Sequence, residues 1–130
     1  MRLSLGLVAV VWLMSSAHAQ APGAPSEVAI GHAIICDTSE QAARYVTLRN
    51  SGSEAVTALQ VVNTEANKET ACGAAVVAFR RGETVRSARM NGKRVDVVKI
   101  TVVALNAGAG WSLVPETEQY AIVPPPGIEA

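Results

Sequence analysis

The sequence predicts an α+β fold: a helical hairpin packed on a four- to five-stranded antiparallel sheet, with an SH3-like small barrel in the second half as the alternative arrangement. Three observations predict it. Apolar residues recur at helical spacing between residues 39 and 66. The only two cysteines, Cys36 and Cys72, bracket that stretch. From Gly73 onward the pattern changes to β-branched runs divided by Asn91-Gly92, the strongest short hairpin signal.

The elements follow in chain order. Residues 1–19 have the three parts of an export signal: Arg2, the uncharged apolar run Leu5–Met14, and small residues with Ala17 and Ala19 in the A-x-A positions. Ten apolar residues reach about 15 Å as a helix, roughly half a hydrocarbon core, so the reading is a cleaved signal and not an anchor. No later segment is long and apolar enough to span a membrane, and the chain is read as exported, periplasmic or secreted. Residues 20–27 are a flexible lead-in, 28–123 a single domain, and 124–130 an extended tail opened by Pro124-Pro125-Pro126.

Val28–Cys36 is a strand, with Val28, Ile30, His32, Ile34 and Cys36 on one face. Asp37-Thr38-Ser39-Glu40-Gln41 opens a helix, Thr38 with Gln41 or Asp37 with Glu40 supplying a capping box. That helix runs to about Asn50, with Ala42, Tyr45, Val46 and Leu48 inward, and stops at Ser51-Gly52. Ser51 or Ser53 is the expected cap of a second helix carrying Ala55, Ala58, Leu59, Val62 and Ala66. Strands are expected at Ala74–Phe79, Thr84–Met90, Lys93–Leu105, Trp111–Val114 and Gln119–Val123, with Pro115 breaking the last two.

Two helices joined by a short turn return the chain to its start, which brings Cys36 and Cys72 together. In an oxidising compartment they form a disulfide. That pairing removes both sulfurs from thiol chemistry. It leaves His32 as the one histidine of the mature chain, four residues along a strand from Cys36, about 13 Å and too far for direct proton transfer. One His with two oxidised Cys makes no metal site, and no cofactor is implied. Glu116 and Glu118 are the nearest approach to a carboxylate pair, and solvated surface charge accounts for them better than glycosidase chemistry. Trp111 and Tyr120 suit half-buried packing better than a ligand face.

Net charge is +0 at pH 7. Between Gly73 and Ile100, however, seven bases stand against two acids. Arg86, Arg89, Lys93 and Arg94 are the candidate anion-binding face, for an envelope protein or an anionic surface. The plainer account is a solvated face whose charges block edge pairing. The Asn91-Gly92 register sets Arg89 opposite Arg94, with Asp96 diagonal to Arg89 and able to relieve the repulsion. Aromatic residues make up only 4% of the chain, so a basic groove interleaved with stacking rings, and with it a nucleic-acid partner, is not supported.

The stretch Ile35-Cys36-Asp37-Thr38-Ser39-Glu40-Gln41, then Arg44, Val61-Val62-Asn63 and Thr70-Ala71-Cys72, resembles a group of small exported proteins of alphaproteobacteria. These share a cysteine-aspartate-threonine opening, a second cysteine after a helical stretch and a Val-rich second half. The resemblance covers about residues 34–105 and implies a periplasmic address. It carries over no activity and no functional residue. The expected function is a non-enzymatic binding or interaction module of the cell envelope, against the alternative of a small extracytoplasmic hydrolase or thiol enzyme.

Overall fold

The computed structural model describes residues 27–106 and 108–125. The export signal, the lead-in up to Ser26 and the tail from Pro126 lie outside the described residues. The element order is β1 (Val28–Cys36), α1 (Ser39–Asn50), α2 (Ala55–Glu65), β2 (Cys72–Met90), β3 (Lys93–Asn106) and β4 (Trp111–Val123). The fold is α+β, and its four antiparallel strands close on themselves in the order β1-β2-β3-β4. The barrel is therefore not confined to the second half: β1 completes it, pairing Ile34, Ile35 and Cys36 with Ile122, Ala121 and Tyr120.

Strand alternation divides the apolar residues into two cores. Ala33, Ile35, Val77, Phe79, Val98, Ile100, Val102, Ala121 and Val123 fill the barrel interior. Their alternate neighbours Cys36, Cys72, Val95, Val97 and Ile122 point outward and are covered by Ala42, Tyr45 and Val46 of α1 and Ala58 and Val62 of α2. The expected common face of β1 is this outer face. The helices cover its Ile34 and Cys36 end and leave Val28 and Ile30 exposed.

Local chemistry explains each boundary. Thr38 caps α1 in a full capping box: its hydroxyl accepts from the Gln41 N–H and the Gln41 side chain accepts from the Thr38 N–H. The C-terminus closes in a Schellman arrangement, Gly52 at φ +96° donating to Arg49 O and Ser53 N–H donating to Leu48 O. This overturns the expected cap of α2. Ser51 and Ser53 are engaged in ending α1, so the capping position falls to Glu54, which makes no side-chain cap bond.

The strands are longer than expected. β2 is one 19-residue strand, bent by register shifts between Arg81 and Arg86. Gly82 sits at that bend, where a Cβ would lie 2.7 Å from Lys99 O, so only glycine allows the approach. β4 likewise runs through Pro115. The ladder passes from Thr117 opposite Val102 to Leu113 opposite Ala104, so Pro115 falls in a bulge where no ladder bond is asked of it.

Candidate functional site

The β2–β3 hairpin carries all four residues of the predicted anion-binding face, in the expected register: Met90 opposite Lys93 and Arg89 opposite Arg94, around a turn with Asn91 at φ 52° and Gly92 at φ 79°. Left-handed conformations at both turn positions are what a two-residue hairpin of this twist needs. The turn is fixed from outside by α1. Asn50 donates to Arg89 O at 2.7 Å and accepts from the Asn91 N–H at 3.0 Å. With its amide turned to satisfy both atoms, Asn91 also donates to Arg49 O and accepts from Arg49 Nη2. Neither helix-end contact is visible as a motif, because each joins residues about forty positions apart.

Alternation along the ribbon splits the four bases between two faces. Arg86 and Lys93 share the helix-facing side with Ala88, Met90, Val95 and Val97. Arg89 and Arg94 lie on the other side with Ser87 and Asp96. All four basic residues are exposed.

The second face holds a buried charge. Asp96 is 3% exposed. Its carboxylate accepts from the Ser87 hydroxyl at 2.8 Å, and guanidinium nitrogens of Arg81 and Arg94 lie 3.8 and 3.9 Å from it. Two cations and one hydroxyl thus surround the buried carboxylate and hold it in place. Asp96 relieves the Arg89–Arg94 opposition through Arg94. Arg94 and Arg81 reach the carboxylate, while Arg89 turns to Gly92 O at 3.4 Å. Arg81 entered no expected pair. It follows Phe79 by two residues and lies opposite Ile100, which puts it on the same ribbon face as Asp96.

The first face borders a groove. It is an open groove of about 370 Å³ lined by Ala43, Val46, Thr47 and Asn50 of α1 and by Arg86, Ala88, Arg89 and Val97 of the ribbon. Thr47 is already engaged with Ala43 O, and Asn50 with the hairpin turn.

The other candidate residues are separate. Cys36 and Cys72 are directly opposite one another on β1 and β2 and are joined in a disulfide. His32 is exposed on β1 opposite Val76. Glu116 pairs with Arg80 at 2.8 Å and Glu118 with Lys99 at 3.4 Å, two different cations on an exposed surface. Trp111 and Tyr120 do not meet: Trp111 is 47% exposed opposite Asn106, whereas Tyr120 packs beneath the helices opposite Cys36. Burial raises the Tyr45 phenol above its usual range, and Arg49 partly offsets this.

Among the described residues no helix is long and apolar enough to cross a membrane. No protein-family model, curated protein or solved structure matches this chain.

Proposed function

We propose that this chain is exported through its N-terminal signal and serves as a non-enzymatic binding module of the cell envelope, in the periplasm that the alphaproteobacterial resemblance implies. The β2–β3 hairpin meets its anionic partner. One observation supports this reading above the rest. Arg44, Lys68, Arg80, Arg81, Arg94 and Lys99 each lie within 4.0 Å of a carboxylate, whereas Arg49, Arg86, Arg89 and Lys93 have no such partner among the described residues. Arg49 ends α1 and donates to Ser53 O; the other three belong to the hairpin. Uncompensated cations gathered at one end of one ribbon raise the local potential in a chain whose net charge is otherwise balanced. The ribbon is also held rigid by Asn50, so less ordering is required when a partner docks.

The disulfide argues against the thiol-enzyme alternative, since the thiolate is the nucleophile and both sulfurs are bonded. The test is retention of the signal-free chain on vesicles containing an anionic lipid, compared with neutral vesicles. Charge reversal at Arg86, Arg89 and Arg94 should abolish retention, and raised salt should weaken it. Retention that survives the triple reversal would remove the hairpin from consideration. Crosslinking in the intact envelope then identifies a protein partner if vesicles do not compete for it.

A further inference from the structure

We infer that this chain pairs with a second copy of itself along the free edge of β4, at Trp111–Val114. The inference goes beyond the proposed function and does not depend on it. The basic hairpin lies at the start of β3, and this edge lies beside its end.

β1 meets β4 at three positions only, Ile34–Cys36 with Tyr120–Ile122. Ahead of Tyr120, β4 therefore pairs with β3 on one side and with no strand on the other among the described residues. An open edge presents unpaired N–H and C=O groups, and proteins blunt it with proline and charge. Pro115, Glu116 and Glu118 blunt the later part of this edge, whereas Trp111-Ser112-Leu113-Val114 carries neither device. Val114 packs against the barrel core, so alternation puts Trp111 and Leu113 on the outer face. Leu113 is 91% and Trp111 47% exposed there. Beside the other open edge, Val28–Ala33, the register carries β4 on into Pro124 and Pro125, which have no N–H to give.

Self-complementarity selects the occupant. Two copies of the edge laid antiparallel about a twofold axis at Ser112, outer face with outer face, set Trp111 of each opposite Leu113 of the other. Each such pair takes two exposed apolar side chains out of water, and directly opposite side chains are the unit of sheet stabilisation. In the same register Val114 meets Gly110, Glu116 meets Gly108 and Glu118 meets Asn106 of the second copy, so no like charges are opposed. A contact of identical edges closes at two copies. A lipid surface would cover Trp111 and Leu113 but leave the backbone groups of the edge without partners. One strand pair buries less than the roughly 1,200 Å² of a stable complex, so the dimer is a weak one.

The experiment follows the mass of the signal-free, oxidised chain by sedimentation equilibrium from about 1 μM to about 1 mM, the range of weak contacts. That chain lacks Trp12, so Trp111 is its single tryptophan and its emission reports on the edge itself. Mass should rise from one chain toward two, with a parallel blue shift of Trp111 emission. Leu113→Glu, at an exposed position, should raise the dissociation constant by about tenfold or more, the scale of a residue central to a contact. Ile30→Lys, at an exposed outer-face position on β1, should leave it unchanged. Ser112→Cys should give a covalent dimer on mild oxidation, because the axis brings the two positions together.

A single-chain mass up to the highest concentration, undiminished association in Leu113→Glu, or failure of Ser112→Cys to crosslink would each overturn the inference. A blue shift of Trp111 on neutral vesicles without self-association would overturn it in favour of a lipid surface. Charge reversal at Arg86, Arg89 and Arg94 separates this reading from the proposed function. It should abolish retention on anionic vesicles and leave the dimer intact, and loss of the dimer in that variant would place the contact at the hairpin instead.

Discussion

Removing the disulfide is the most direct test of how this small chain reaches stability. Cys36 and Cys72 are 36 positions apart and enclose both helices. Constraining a loop of about 37 residues in the unfolded chain is worth roughly 3.8 kcal/mol on the chain-entropy estimate. The sulfurs are also packed, Cys36 being 0% and Cys72 2% exposed, so replacing both with alanine removes further contacts, about 1 kcal/mol in all. The Cys36→Ala/Cys72→Ala chain should therefore lose about 4–5 kcal/mol, where domains of this size often have about 5–15 in total. In thermal unfolding this is a fall of roughly 15–30 °C. Urea unfolding of oxidised and double-alanine chains measures it, and the denaturant slope should rise because the unlinked chain exposes more surface. A loss under about 1 kcal/mol with an unchanged slope would refute the reasoning. It would mean that packing of α1 and α2 on the barrel holds the hairpin without the staple.

Three further changes probe separate parts of the fold. Gly82→Ala forces a Cβ to within 2.7 Å of Lys99 O, and overpacking of this kind should cost about 1–3 kcal/mol in urea unfolding. Asn50→Ala removes two hydrogen bonds to the hairpin turn, a loss of about 1–2 kcal/mol, and should speed amide exchange at Asn91 more than in the barrel strands. Tyr45→Phe tests the raised phenol. Its folded pKa lies above the ordinary 10.0, so the stabilisation is fully present below pH 10 and is lost as pH rises through the higher folded value. The melting temperature of the wild-type chain should thus fall more steeply above pH 10 than that of Tyr45→Phe, and parallel curves would reject the assignment.

The parts of this fold visible in the sequence are those set by neighbours a few residues apart. Thr38 with Gln41, the Ser51-Gly52 stop and the Asn91-Gly92 turn each depend on backbone geometry over one turn of chain, and all three form where local chemistry places them. The cysteine pairing was visible because two helices of similar length return the chain to its start. Barrel closure was not. It depends on β1 meeting β4, pairs such as Ile35 with Ala121 that have no local signature. The continuity of β2 and β4 was missed because Gly82 and Pro115 look like breaks; both sit in bulges, where a glycine or a missing N–H is tolerated. The four basic residues are legible as a group. The pairing of Arg81 with Asp96 is not, because it joins positions of β2 and β3 that are not direct register partners.

The placement of the helical hairpin decides what the basic ribbon can do. Because α1 and α2 are inserted between β1 and β2, they cover the outer barrel surface from the disulfide to the β2–β3 turn, where Asn50 meets Asn91. The far end of the β2–β3 ribbon therefore meets α1 on one side only. On that side Arg86 is exposed and has no carboxylate partner among the described residues. On the other side Arg89 and Arg94 face water, and Asp96 already supplies one counter-charge to Arg94. The same side-chain type thus has different binding value on the two faces. If the ribbon acted simply as a charged strip, reversing Arg86 or Arg94 alone would weaken vesicle retention equally. Asp96 already offsets Arg94, whereas Arg86 has no carboxylate within 4.0 Å among the described residues, so Arg86→Glu should do the greater damage.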